Sequence, residues 1–259
     1  MVSAGWKDFA SEIDRWRDAG RIVEFWWRDD DATQPTRALE RLVSLAGLFK
    51  APLALAVIPA HVEPALFALL PPEAEVLQHG ADHLNRATPG DKKTEYPANE
   101  AVDAALARLA DGRQRLSELA GTRSLGVLAP PWNRIAARLL PHLASCGFRG
   151  LSRYGARNSA QAAPGVTEIN THVDIIDWKG SRGFIGVEQA LSQATRHLAA
   201  RREGGADADE PTGWLTHHAC HDEHAWAFLA DLFDRLRSEP GVRWKSARDL
   251  FAGPVAAEP

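Results

Sequence analysis

Apolar runs of strand length alternate along this chain with stretches whose apolar residues recur every three to four positions. Phe9, Ile13 and Trp16 predict a short amphipathic helix over 6–18, ended by Gly20. Ile22-Val23-Glu24-Phe25-Trp26-Trp27 predicts a buried strand over 21–27, with Arg28-Asp29-Asp30-Asp31 at its tip. Thr33 and Pro35 open a helix carrying Leu39, Leu42, Val43, Leu45 and Ala46, and 51–59 is a second strand. After a short helix over 63–70, Glu75-Val76-Leu77-Gln78 forms a third strand running directly into His79-Gly80-Ala81-Asp82-His83. A polar, aperiodic loop (84–98) leads to a helix capped by Asn99 and reaching about residue 120. A fourth strand (125–131) runs into Trp132-Asn133-Arg134. A helix (135–145), a strand (148–152), a loop (155–165) and an extended segment (166–176) follow. Then come a helix (187–202), a strand (213–216) ending in His217 and His218, a helix (222–238), a strand (241–245) and a last short helix.

Strand, loop and helix thus repeat about seven times, which argues for a parallel sheet, either closed as a barrel or open and doubly wound. No Gly-x-Gly-x-x-Gly follows a strand, which weakens a dinucleotide-binding sheet. With no internal repeat and no change of composition, one domain is expected: a helix over 1–20 packed on a barrel of 21–251, with a flexible tail over 252–259. The polar clusters fall at one kind of place, the C-terminal ends of strands: Asp29 and Asp30, His79 and His83, Trp132 to Arg134, Asp174 and Asp177, and His217. In a parallel barrel these ends open on one face, where active sites sit.

Charge and composition narrow the function. The 259 residues carry a net charge of −4, so there is no broad electrostatic case for nucleic acid. No stretch has the apolar length of a membrane span, and residues 1–8 show no apolar core of a signal peptide, so a cytoplasmic protein is expected. Cys146 and Cys220 give no disulfide framework. Nine tryptophans suit a core, and also the platforms on which sugar rings stack.

Three consecutive carboxylates beside apolar surface need a compensating cation, and a divalent metal is the simplest. His79 and His83, four apart, would project from one face of a helical turn. With Asp30 they make two imidazoles and one carboxylate, a catalytic shell with open positions. Those ligands suit Zn²⁺, with Co²⁺, Ni²⁺ and Fe²⁺ as alternatives. His217, His218, His221 and His224 match no common zinc module, and a strand would send the first two to opposite faces. His61, His142 and His197 read as surface or packing residues, His172 lies near a strand end, and Lys92, Lys93 and Glu95 read as a solvated loop.

From about residue 21 to 251 these residues, in this order, resemble the polysaccharide deacetylase family, the Nod-factor deacetylase homology domain of carbohydrate esterase family four. Trp27-Arg28-Asp29-Asp30-Asp31 is similar to the family's Thr-Phe-Asp-Asp-Gly, which implies Asp29 as general base and Asp30 as metal ligand. His79-Gly80-Ala81-Asp82-His83 has the spacing of His-Ser/Thr-x-x-His and implies the other two ligands. Ala129-Pro130-Pro131-Trp132 is similar to Arg-x-Pro-Tyr/Phe, Asp174-Ile175-Ile176-Asp177-Trp178 to Asp-x-x-Asp-Trp, and Leu215-Thr216-His217 to Leu-x-His, with His217 the implied general acid. Asp31 stands where the family has glycine, Gly80 where it has a hydroxyl residue, and Ala129 where it has the arginine that orients the base; Arg28 and Arg134 are candidates to replace that arginine.

The resemblance implies a distorted, TIM-like, seven-stranded (β/α) barrel of α/β class, and metal-assisted removal of an acetyl group from an acetylated sugar or polysaccharide. Asp174 would hold His217, a backbone N–H near Trp132 would face the oxyanion, and Trp132, Asn133, Arg134, Asp177 and Trp178 would contact substrate. Two rivals remain at this point. One is hydrolysis of another C–N bond, in a small amide or cyclic ureide, on the same fold. The other is a non-catalytic carbohydrate-binding or regulatory domain. A narrow closed pocket favours the small amide, and a wide groove with exposed Trp favours a sugar.

Overall fold

The apolar and β-branched runs do form strands, and they form one sheet. The computed structural model describes residues 3–252, so the tail expected over 252–259 lies almost wholly outside the described residues. Five parallel strands run β5–β4–β3–β2–β1: β1 (Val23–Ala32), β2 (Ala54–Val57), β3 (Glu75–Gln78), β4 (Ser124–Leu128) and β5 (Gly150–Leu151). β1 also pairs in parallel with β9 (Thr212–Thr216). β6 (Gln161–Ala163) is antiparallel to β7 (Val166–Glu168), and β10 (Val242–Trp244) pairs with the start of β1.

Closure depends on the segment from β7 to β8 (Val173–Asp174). Its first half bonds to β5 and the residues just after it, through Ile169 N–H to Leu151 O and Thr171 N–H to Arg153 O. Its second half bonds to β9, through His172 N–H to Gly213 O and Ile175 N–H to Leu215 O. Counting 166–174 as one stave, the ring is β1, β2, β3, β4, β5, this stave and β9: seven staves, with β6 and β10 supernumerary in a ladder of ten strands. The residue that changes neighbours, between two short strands, is what distorts the barrel.

Two apolar layers follow from the pleat. Trp26, Ala54, Ala56, Leu77, Leu125, Val127 and Ala129 fill the barrel interior. Phe25, Trp27, Leu55, Val57, Val76 and Trp214 face outward against helices. These are α1 (Ala4–Asp18), α2 (Arg37–Phe49), α3 (Ala65–Leu69), α4 (Val102–Ala120), α5 (Val187–Glu203) and α6 (Glu223–Leu236). The short α7 (Ala247–Leu250) closes the N-terminal end of the barrel. Glu75, the first residue of β3, accepts from Ala247 N–H (2.6 Å) and Arg248 N–H (3.0 Å), and Phe251 packs on Trp26. The opposite end is left for the site.

Several local expectations shift; α4, for one, starts at Val102 with Ala101, not Asn99, at its N-cap. The helix expected over 135–145 is only two 3₁₀ stretches, Ala137–His142 and Ala144–Cys146, because Pro141 lacks the N–H that an α-turn needs. Thr36, not Thr33, caps α2, accepting from Leu39 N–H. The first strand runs on to Ala32, past its expected end at Trp27, with consequences for the acids. Among the described residues no helix is long and apolar enough to cross a membrane.

Candidate active site

Side chains alternate along β1. Trp26 points into the barrel and Phe25 and Trp27 point out. The same alternation sends Arg28 and Asp30 inward and Asp29 outward. Arg28 is fully buried, and its five donor positions are all used. Nε and Nη2 grip the two oxygens of Asp30 at 2.8 and 3.0 Å. Nη1 donates to Ser152 O (2.9 Å) and Oγ (2.7 Å), and Nη2 also to Asn133 Oδ1 (2.7 Å). The guanidinium thus ties the end of β1 to the loops after β4 and β5. Of the two candidates to replace the arginine missing at Ala129, it is Arg28 that holds a carboxylate; Arg134 donates to Lys93 O instead. Ala129 itself is buried in the barrel interior beside Trp26 and Leu77.

Pairing of β1 with β2 slips by one residue between Asp29 and Ala32. This bulge puts Asp31 at φ +72°, and Asp30 and Asp31 both line the cleft above the barrel. Asp31 Oδ1 lies 3.1 Å from His79 Nε2 and 3.3 Å from His83 Nε2. The carboxylate facing the two imidazoles is therefore Asp31, not the expected Asp30, whose nearest approach is 3.9 Å to His79 Nδ1. Burial would raise the Asp31 pKa, but the two imidazoles hold it far below the usual carboxylate range. Burial would lower that of His79, and Asp30 and Asp31 more than reverse this.

The residues fit a metal. Asp31 Oδ1 is buried with no properly oriented hydrogen-bond donor, although two imidazole nitrogens are close. Ligand atoms about 2.0–2.1 Å from a Zn²⁺ ion lie about 3.3 Å from one another, close to the separation of Asp31 Oδ1 from each imidazole nitrogen, and the three ligand atoms all lie within 4.8 Å of one another.

His79 and His83 do not meet through a helical turn. Gly80 (φ +63°) and His83 (φ +57°) fold the chain back. Glu95, fully buried, receives Ala81 N–H (2.8 Å), Asp82 N–H (3.3 Å) and His83 N–H (3.1 Å). A Cβ on Gly80 would strike Glu95 and Pro131, which explains the absence of a hydroxyl residue there. Trp132 (φ +55°) and Asn133 (φ +58°) are likewise left-handed, and the Trp132 ring packs at a tilt against His83, centroids 4.5 Å apart. Left-handed backbone at four non-glycine rim positions, Asp31, His83, Trp132 and Asn133, marks a site held in place by its surroundings.

Across the cleft, His217 packs edge-on against Trp178 at 4.7 Å, and Trp178 is 41 % exposed. Asp174 lies beside them, its pKa raised by burial, but its oxygens accept from Ile176 N–H (3.0 Å) and Trp178 Nε1 (2.7 Å). It does not bond His217, whose Nδ1 has no partner. Asp177 is taken up by Gly180 N–H and Ser181 N–H at the start of a turn. Asp30, Asp31, His79, His83, Trp132, Asn133, Arg134, Asp174, Asp177, Trp178 and His217 all line one cleft of about 1300 Å³.

Solved structures of the same architecture exist, although no described sequence family and no curated protein matches the chain. A Mycobacterium smegmatis protein provisionally assigned as a polysaccharide deacetylase aligns with TM-score 0.64 at 16% identity, over 90% of each chain. Bacillus subtilis PdaA, a family 4 carbohydrate esterase, aligns with TM-score 0.56 at 14% identity, over 94% of this chain and 88% of that one. A Clostridium thermocellum family 4 acetyl xylan esterase, solved with a cobalt ion, aligns with TM-score 0.51 at 15% identity, over 88% and 90%. The fold is that of the family 4 polysaccharide deacetylases.

Two groups lie apart from the centre of this deacetylase-fold site. Asp29, expected as the base, does not reach the cleft. It accepts from Thr216 Oγ1 (2.6 Å) and His218 N–H (2.9 Å), and pairs with His218 Nδ1 (2.5 Å) behind the strand. Burial would raise its pKa, and His218 lowers it. Its outward direction is the strand parity carried two residues past Trp27. His172, His197 and Glu210 also bring ligand-type atoms together. Gly213 N–H, however, donates to His172 Nδ1, so the neutral ring carries its proton on Nε2, 3.3 Å from Glu210 Oε2. That nitrogen has no lone pair to offer a metal. Glu95 and Arg28 are the residues whose importance the sequence conceals most, since each acts on chain segments far from itself.

Proposed function

We propose that this chain is a metal-dependent hydrolase that removes the acetyl group from an acetylated amino sugar. The observation that carries the proposal is the meeting of Asp31, His79 and His83 beside an Asp30 gripped by Arg28, on the C-terminal rim of a deacetylase-fold barrel. Asp31, His79 and His83 would hold one divalent ion, Zn²⁺ by the chemistry of the donors. When bound, the ion would polarise the acyl oxygen and make water acidic enough to attack.

Asp30 takes the proton from the attacking water; Arg28 fixes the direction of its lone pairs. His217, across the cleft, delivers a proton to the departing amine. Its Nδ1 is bare, and its orientation comes from packing on Trp178 rather than from Asp174, which steadies the indole instead. Trp132 and Trp178 flank the acetamido group and its sugar ring, Asn133 joins the Arg28 network, and Arg134 and Asp177 shape the rim. The Asn133 N–H already donates to Pro130 O (2.8 Å), which leaves the N–H of left-handed Trp132 as the backbone donor for the reacting carbonyl.

The volume of the cleft, about 1300 Å³, and the exposure of Trp178 favour a sugar over a small amide or cyclic ureide. The engaged Arg28 and the Asp31 that faces both imidazoles favour a catalytic site over a non-catalytic domain. Both cysteines are free, which supports a reducing, cytoplasmic location.

Metal analysis combined with acetate release tests the assignment. Asp31→Ala should lose the ion and activity together, while Asp30→Asn should keep the ion and lose turnover. If instead Asp30→Ala strips the ion and Asp31→Ala retains it, the displaced register is wrong.

A further inference from the structure

The chain is acidic overall, at net charge −4, yet its cleft gathers cations. Lys93 and Arg134 stand on the wall by Trp132, Lys179 and Arg182 stand by Trp178, and Arg196 lines the cleft near Tyr154. All five are exposed, and none has a carboxylate partner among the described residues. Arg134 donates only to Lys93 O, Arg196 only to Ser192 O, and Arg182 lies over the Trp178 ring at 5.7 Å.

Five cations face the four carboxylates that line the cleft, and Arg28 offsets one of those four. Arg28 takes Asp30, the imidazoles face Asp31, and N–H groups satisfy Asp174 and Asp177. They sit on the floor and in turns, whereas the cations ring the mouth. Like charges gathered around a concave surface repel one another and focus an anion-attracting field into it. A neutral glycan gains nothing from such a field.

Resting on the deacetylase reading of this site, we infer that the acetylated sugar carries an anionic group, a carboxylate or a phosphate, received by this rim. The acetamido group would lie between Trp132 and Trp178, with the anion against one of the two cationic walls. Arg182 is the best placed to fork onto it, since Arg134 and Arg196 each donate to a backbone carbonyl while the exposed Arg182 guanidinium only lies over the Trp178 ring.

The test measures binding separately from turnover. Quenching of cleft tryptophan fluorescence by N-acetylglucosamine, N-acetylglucosamine 6-phosphate and N-acetylmuramic acid gives three dissociation constants, and acetate release is assayed in parallel on each. The charged sugars should bind about ten-fold tighter than the neutral one or better. One charged sugar exceeding the other identifies phosphate or carboxylate. The advantage should shrink to about two-fold in Lys179→Gln/Arg182→Gln or in Lys93→Gln/Arg134→Gln, whichever wall holds the anion, and in high salt.

Equal binding of neutral and charged sugars overturns the inference, as does an advantage that survives both double variants. Acetate released equally well from all three sugars leaves the deacetylase standing and sinks the anionic substrate. Selective binding without any acetate release does the reverse.

Discussion

Replacing Arg28 by methionine should damage stability and catalysis together, and its size can be worked from the contacts. Arg28 is fully buried and donates to Asp30, Ser152 and Asn133, while Asp30 is only 2 % exposed. Methionine fills much of the volume and supplies none of the donors, so Asp30 is left as a buried charge without a counter-charge. Breaking a buried pair from one side costs about 3–5 kcal/mol. At about 2–4 °C per kcal/mol for a chain of this size, the melting temperature should fall by about 6–20 °C. Arg28→Lys should not rescue it, since an ammonium cannot reproduce the fork onto Asp30 while reaching two loops. The decisive assay is a double-mutant cycle in urea, with chelator present so that metal binding does not enter. Arg28→Met/Asp30→Asn removes both charges and should be less destabilised than the sum of the single variants by about 2 kcal/mol or more. Additivity of the two single effects within about 0.5 kcal/mol would falsify the view that this guanidinium exists to hold that carboxylate.

Glu95→Gln should weaken metal binding by about ten- to a hundred-fold while the barrel stays folded, because the amide offers one acceptor oxygen where three backbone N–H groups now share two; competition with a chelating dye measures it, and unchanged affinity refutes it. Stability should also fall in mild acid. Burial, aided by Arg201 and Arg157, pushes His172 down to about 3, and burial beside His172 pushes His197 down to about 2. Both rings are neutral in the fold but protonate near 6.5 once unfolded, so the unfolded chain binds more protons between about 3 and 6.5. Stability therefore drops as pH falls through that window, by up to about 1.4 kcal/mol per pH unit for each ring. Urea midpoints at pH 7 and pH 5 should differ clearly in the parent and much less in His172→Gln/His197→Gln; an equal drop in both proteins places the acid sensitivity elsewhere.

How much of this could be seen in the sequence depends on whether a feature is local. Each strand with a clean apolar run and each helix with a clean stripe is legible, because burial on one side leaves a period of 2.0 or 3.6 in the residues themselves. Closure of the barrel is not, because 166–174 reads as one extended segment whether it serves one neighbour or two. The acids show the limit most clearly. Treating Asp29, Asp30 and Asp31 as a tip beyond a strand ending at Trp27 discards the parity that continues through them. Keeping it sends Asp29 outward with Phe25 and Trp27, and aligns Asp30 with Trp26 and Arg28. Parity alone still fails for Asp31, because the bulge that turns it beside Asp30 arises from pairing with β2, and nothing in β1 announces it. The same holds for the proton donor. The closeness of His217 and the Asp174-Trp178 segment follows from two strand ends on one rim, but the partner of Asp174 does not. Trp178, four residues downstream, reaches back with its indole N–H and takes the carboxylate before an imidazole can. Motif spacing therefore identifies which segments meet, while strand parity, bulges and competition for each lone pair decide which atoms do.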